Sequence, residues 1–171
     1  MVEPRRRKQA EDAPLKGVRI LIVESGYYED IAATLLKGAV RALDVAGASY
    51  NVVTVPGALE IPQAIAIALD GVRGSTNSRA KSAYHGVVAL GCVIRGETSH
   101  YDIVAGESAR ALMEIGIGRK IPVGNGILTV DTAAQAQVRA ALDQGDKGGT
   151  AAMAALSLVR LKRGLTPRKP R

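Results

Sequence analysis

Residues that could bind an anion and move a proton are concentrated in one segment, GCVIRGETSHYD, residues 91–102. Thr98 and Ser99 stand where a helix is predicted to begin, and the free backbone N–H groups of a helix start attract anions. His100 follows in the first turn, and an imidazole exchanges protons close to neutral pH. From spacing alone, a helix start capped by Ser99 and Asp102, with a surface histidine, is an equally good interpretation.

Two further segments carry groups that suit a flat ligand. In VPGALEIP, residues 55–62, Gly57 and Ala58 leave backbone N–H and C=O groups uncovered, and Glu60 could accept hydrogen bonds from hydroxyls. In GYYED, residues 26–30, either tyrosine could stack on a ring. An ordinary strand-to-helix turn and surface packing are the corresponding structural interpretations, and the local sequence leaves both open.

Lys147 lies among glycines before a predicted helix, in GDKGG, which resembles an anion-binding nest. This segment does not match the Walker pattern and no GxGxxG follows the first strand, so neither type of nucleotide loop is predicted. Cys92 lies in a predicted buried strand, which favours a structural thiol. A single cysteine excludes an intrachain disulfide, and no Cys/His cluster indicates zinc. His85 has no assigned role.

Buried strands alternate with amphipathic helices along the chain. This order predicts an α/β fold, a three-layer αβα sandwich around a four-stranded parallel sheet, with binding sites beyond the carboxyl ends of the strands. The predicted strands are residues 18–23, 49–55, 86–94 and 121–130. The predicted helices are residues 29–47, 61–70, 99–116, 132–145 and 147–163.

The net charge of +7 comes mainly from the carboxyl-terminal end. Residues 160–171 hold six basic side chains and no acidic one, so the remainder is almost neutral. A solvated tail is the simpler interpretation, and a tail that binds nucleic acid or another anionic surface is the alternative. We expect a disordered lead-in over residues 1–15, one domain over 16–162 and a basic tail over 163–171. No membrane span or signal peptide is predicted, which favours a cytoplasmic protein.

The segments VPGALEIP, GCVIRGETSHYD, GILTV and DKGG together resemble the motifs of the lumazine synthase family, in order, over residues 16–162. The resemblance implies a flavodoxin-like fold and a transferase of riboflavin biosynthesis. Its reaction joins 5-amino-6-ribitylaminouracil to 3,4-dihydroxy-2-butanone 4-phosphate and gives 6,7-dimethyl-8-ribityllumazine, phosphate and water. It implies neither a metal nor an organic cofactor.

The resemblance also implies a role for each matching residue. His100 would transfer protons, Tyr27 would stack over the pyrimidine ring, and Arg139 would bind the phosphate, with Lys147 near the same site. Other residues would contact the pyrimidine substrate, namely Ala58, Leu59, Glu60 and, through their backbone, Cys92, Val93 and Ile94. Residues at the helix start would meet the phosphate, namely Glu97 and Thr98. A neighbouring subunit of a homopentamer would contribute Asn125, Arg139 and Lys147.

The sequence departs from the family pattern around the ring pocket. Gly26 replaces a usual arginine, Tyr27 replaces the commoner Phe or Trp, and Asn125 stands where Phe is frequent. The segment at residues 71–83 is longer than is usual in the family. We therefore expect a weaker uracil site and an intact phosphate site. A lumazine- or flavin-binding assembly protein with little catalysis is the alternative function, and the pentamer could assemble further into pairs or a sixty-subunit shell.

Overall fold

A computed structural model describes residues 13–70 and 84–165 of the chain. Within them strands and helices alternate as the sequence predicts, before two helices that close the chain. The elements are β1 (Arg19–Ser25), α1 (Glu29–Ala46), β2 (Ser49–Val55), α2 (Glu60–Asp70), β3 (Gly86–Ile94), α3 (His100–Gly118), β4 (Val123–Val130), α4 (Ala133–Ala140) and α5 (Lys147–Leu165). The predicted surface loop, residues 71–83, lies outside the described residues, as do residues 1–12 and 166–171.

The four strands form one parallel sheet in the order β2-β1-β3-β4. The central strands β1 and β3 are buried over almost their whole length, because helices cover both faces of these strands. The sheet edges are β2 and β4. Helices cover both faces, so the predicted three-layer α/β fold with its flavodoxin-like arrangement is confirmed.

Alternate residues of the central strands point to opposite faces of the sheet. Ile20 and Ile22 of β1 pack in the layer that contains α1, α4 and α5. Leu21 and Val23 pack in the layer that contains α2 and α3. The core consists of aliphatic side chains, in keeping with the absence of Phe and Trp from the sequence.

Helix α5 packs unusually close to α1 and to β4. A Cβ atom on Gly148 would overlap the carbonyl oxygen of Leu35 in α1, and one on Gly124 would overlap the carbonyl oxygen of Ala151 in α5. Both positions therefore require glycine for close backbone approach. This packing fixes the first turn of α5, which carries Lys147, beside the edge strand β4.

Apart from α4, the bounds of the elements agree with the predicted ones to within two residues. Three local predictions differ more substantially from the structure. Helix α4 ends at Ala140 rather than residue 145, because Ala141 leaves the helical conformation and its carbonyl accepts from Asp146 N at 2.9 Å. Ser99 is the residue before α3, but its side chain makes no capping bond, so the predicted capping box is wrong. Leu15, placed in the lead-in, is buried and donates its N–H to Ala46 O at 2.7 Å.

Candidate functional site

A cavity of about 520 Å³ opens at the carboxyl ends of the strands. The segments that follow β1, β2 and β3 and the first turns of α3 surround it, which is where binding sites lie in parallel sheets. Most of the predicted site residues line this cavity, namely Tyr27, Ala58, Leu59, Glu60, Cys92, Val93, Ile94, Thr98 and His100. A larger groove, about 800 Å³, lies between α2 and α3 and contains none of them.

Several lining residues had no role implied by the family resemblance, namely Ser25, Tyr28, Gly57, Gly96, Tyr101 and Val104, although Gly57 was singled out from the sequence for its uncovered backbone. Val104 could have been found from the sequence, because it stands four residues after His100 on the same side of a helix. Tyr28 was one of two candidate rings. Conversely, Glu97 is exposed and does not line the cavity.

Two tyrosine rings form one wall at the mouth of the cavity. The Tyr27 and Tyr28 rings meet edge to face, with centroids 4.9 Å apart and planes at 75°. Tyr27 is 72% exposed, so the face of its ring is available to a planar ligand. Burial, with smaller effects from Tyr27 and Cys92, raises the pKa of Tyr28.

Cys92 lies in the floor of the cavity, near the end of β3. Burial raises the pKa of its thiol to about 11, because the thiolate would lose hydration there. The thiol is therefore protonated at neutral pH. A protonated thiol is a poor nucleophile, so the side chain offers packing rather than covalent chemistry.

His100 is the first residue of α3, and it lines the cavity. Its backbone N–H donates to Thr98 Oγ1 at 3.4 Å. The 19 residues of α3 give its amino-terminal end a partial positive charge, and that end faces the cavity. The arrangement places a proton-transfer group next to a position suited to an anion.

Three predicted site residues lie elsewhere, along the edge strand β4. Asn125, Arg139 and Lys147 line a separate cavity of about 230 Å³ together with Thr129 and Thr150. The Asn125 carboxamide oxygen accepts from Ile127 N at 3.0 Å, and Arg139 Nη1 donates to Gln135 O at 3.1 Å. Two cationic side chains and two threonine hydroxyls make this second cavity suitable for an anionic group.

The backbone before Lys147 is held in place by Asp146. Asp146 has a φ of 38°, a left-handed conformation, and its carboxylate accepts from Gly149 N at 3.1 Å. The same carboxylate is 2.8 Å from Arg41 Nη2 in α1. The start of α5 is therefore tied to α1, and with it the position of Lys147.

Within residues 13–70 and 84–165, no three His, Cys, Asp or Glu side chains are grouped as metal ligands. Over the same residues, no helix combines the length and apolar character needed to cross a membrane.

The sequence model of one protein family, described as 6,7-dimethyl-8-ribityllumazine synthase, matches residues 17–163. The chain belongs to this family. A relative of that name from Azorhizobium caulinodans is 55% identical over 163 residues, covering 95% of this chain and 98% of the relative. Another from Methylobacterium radiotolerans is 57% identical over 160 residues, covering 94% and 92%. Membership in the lumazine synthase family makes the chain an enzyme of riboflavin biosynthesis.

Proposed function

We propose that the chain is a cytoplasmic transferase that condenses 5-amino-6-ribitylaminouracil with 3,4-dihydroxy-2-butanone 4-phosphate to give 6,7-dimethyl-8-ribityllumazine. One observation carries the proposal beyond family membership. A single cavity brings together an exposed aromatic face at Tyr27, uncovered backbone at Ala58, His100 and the start of α3. In that order, these groups suit a flat ring, the hydrogen-bonding edge of the ring, the transfer of a proton and the binding of an anion.

The reaction requires little covalent help from the protein. An amine of the uracil condenses with the ketone to an imine and releases one water, and phosphate is then eliminated. The ribitylamino nitrogen closes the second ring on the remaining carbonyl carbon, and a second water leaves. These steps need protons moved and two substrates held together, and orientation supplies much of the acceleration. A cavity that is lined by His100, and in which the Cys92 thiol stays protonated, suits this chemistry.

The pyrimidine would occupy the part of the cavity next to the tyrosine wall. Tyr27 stacks on the ring, Cys92, Val93 and Ile94 contact it through their backbone, and Glu60 accepts hydrogen bonds from the ribityl hydroxyls. Ala58 and Leu59 complete this half. The wide exposure of Tyr27 supports a stacking role, since its ring face has room for a ligand.

The phosphate would bind at the start of α3, against Thr98 and the backbone of Glu97. Arg139 and Lys147 supply positive charge for the departing phosphate. In one chain these two residues lie in a different cavity from His100. We therefore propose that a neighbouring subunit brings them, with Asn125, to the cavity in a homopentamer, built from the domain at residues 16–162.

Exposed apolar side chains support such an assembly. Helix α3 buries only Ser108 and Leu112, whereas Ile103, Met113 and Ile117 are 55%, 62% and 70% exposed. An exposed apolar face of this kind is typical of protein–protein contact. Sedimentation velocity would distinguish a pentamer from a decamer or a sixty-subunit shell.

The proposal is tested by mixing the purified protein with both substrates and following lumazine fluorescence. We expect the lumazine fluorescence to rise at a rate proportional to the protein concentration, and only when both substrates are present. Binding of the lumazine product without any turnover would instead support the alternative of a binding protein with an altered ring pocket.

A further inference from the structure

Arg95 connects three segments beside the cavity, and the reaction described above gives it no role. Its Nη2 atom is 3.2 Å from Asp102 Oδ1 in the first turn of α3. Its Nε atom is 3.4 Å from Asp131 Oδ1 after β4. Its guanidinium carbon lies 4.0 Å from the centroid of the Tyr101 ring, which lines the cavity. The guanidinium thus joins the end of β3, the end of β4 and the start of α3.

The segment between these contacts, residues 96–99, is exposed to solvent along its whole length. A Cβ atom on Gly96 would meet nothing within 4 Å. Arg95 stands immediately before this segment and Asp102 shortly after it. Their ion pair therefore closes the loop that carries Thr98 and ends at His100.

The backbone anchors the same arrangement from the other side. The N–H of Arg95 donates to Val130 O at 2.9 Å, which continues the β3–β4 ladder by one residue. Asp131 follows directly, so its carboxylate is held near the guanidinium. A planar guanidinium can contact two carboxylates and a ring face at once, which an ammonium group cannot reproduce.

The charges of Arg95, Asp102 and Asp131 affect how readily an anionic substrate can bind at the start of α3. An arginine guanidinium is positive at any ordinary pH, and the hydrogen bond to Asp102 raises the pKa of Arg95 further. Asp102 and Asp131 lie near the start of α3, where their negative charge would oppose an incoming phosphate. Pairing with Arg95 offsets that charge.

We infer that Arg95 is a positioning residue that holds residues 96–101 in place for the phosphate-bearing substrate without touching the substrate. This assignment rests on the reaction proposed above and adds a residue to it. The Arg95 side chain is 45% exposed, and exposed ion pairs contribute little to global stability. The expected effect of losing it is therefore a looser loop in a protein that still folds.

The test compares Arg95→Gln with Arg110→Gln. Arg110 is a matched control, because it is an exposed arginine of α3 that also pairs with two carboxylates, Glu107 and Glu114, outside the cavity. For Arg95→Gln we expect the KM of the phosphate substrate to rise roughly 10-fold, since small misplacements of binding groups are costly. The KM of the pyrimidine should change about twofold or less, and Arg110→Gln should match the unsubstituted protein. Equal kinetic constants in the two variants would overturn the assignment.

Amide hydrogen exchange supplies a readout independent of turnover. Residues 96–102 should exchange faster in Arg95→Gln than in Arg110→Gln, with equal melting temperatures. If the unsubstituted protein makes no lumazine but this difference appears together with weaker binding of inorganic phosphate, the proposed reaction fails and the positioning role stands. If lumazine forms and the exchange is equal, the positioning role fails alone.

Asp131→Asn provides a second variant should Arg95→Gln not fold. It removes one contact of the guanidinium and leaves Asp102 in place. We therefore expect the KM of the phosphate substrate to rise, but by less than in Arg95→Gln. Where Arg95→Gln does fold, adding Asp131→Asn to it should raise the KM almost no further, because the effects of groups that act as a unit are not additive. Full additivity would contradict a shared role.

Discussion

His100 and Thr98 stand two residues apart at the junction of loop and helix, and both line the cavity. The proposed role of His100 can be isolated by substitution. His100→Ala should lower kcat roughly 10-fold or more without abolishing turnover, because general acid–base help is lost while substrate orientation remains. Steady-state kinetics would measure the effect.

His85 offers a matched control for that substitution. It lies at the opposite end of the sheet, before β3, where its Nδ1 accepts from Arg19 N at 3.1 Å. His85→Ala should leave kcat unchanged. Complete inactivity of a folded and assembled His100→Ala protein would contradict the predicted role.

Cys92 gives a prediction about pH. Burial disfavours the thiolate and raises the pKa of the thiol from 9.0 to about 11, so the neutral thiol persists well above neutral pH. Iodoacetamide at about pH 8 should therefore alkylate the folded protein far more slowly than the protein unfolded in urea. The rate for the folded protein should rise as the pH approaches about 11. Rapid labelling of the folded protein at the lower pH would show that the thiolate is accessible.

At the scale of elements, α1 and α5 pack so closely that adding a single methyl group between them should lower the stability of the fold. Gly148→Ala places a Cβ atom against the backbone of Leu35, where no side chain can move aside. We expect a loss of about 1–3 kcal/mol in the free energy of unfolding, as for other overpacked sites. Thermal unfolding would measure the change.

Gly164→Ala is the control on the same helix. A Cβ atom at Gly164 would meet nothing within 4 Å, and alanine favours a helix over glycine. Its melting temperature should be unchanged or slightly higher. A Gly148→Ala protein as stable as this control would mean that α1 and α5 separate easily.

The sequence predicts β2 and β3 with the same bounds as the structure, because breaks such as Pro56-Gly57 delimit them sharply. The end of α4 is missed, since Ala141 and Leu142 continue its apolar spacing. The chain turns there because Gly145 packs against the backbone of Arg139 and donates its N–H to Val138 O, contacts that a helical pattern does not encode.

The candidate site, like the fold, was predictable from the sequence only in part. Strand-end segments identify most cavity residues, because parallel strands bring their carboxyl ends to one edge of the sheet. The partner of Asp102 is not predictable from its spacing with Ser99, because Arg95 competes for the carboxylate across a loop. The separation of Arg139 from His100 depends on strand order, which the alternation of elements leaves undetermined.

At the scale of the whole molecule, a site shared between subunits makes a distinctive prediction. We expect a protein assembled from co-expressed His100→Ala and Arg139→Ala chains to be more active than the average of the two separate variants. Random mixing would create roughly one quarter of the sites with both residues intact, one from each neighbour.

Each variant assembled alone would provide the baseline for this experiment. Separately, Arg139→Ala should mainly raise the KM of the phosphate substrate, because the guanidinium would bind that group. Activity of the mixed protein equal to the average would instead place both residues of each site in one chain.

The tyrosine content of the cavity has an optical consequence. Tyr27, Tyr28 and Tyr101 line it, so three of the five tyrosines of the chain report on one place, and the chain has no tryptophan to mask their emission. A ligand that absorbs where tyrosine emits would quench most of the intrinsic fluorescence when it enters. The protein therefore carries its own spectroscopic probe of cavity occupancy, with no attached dye.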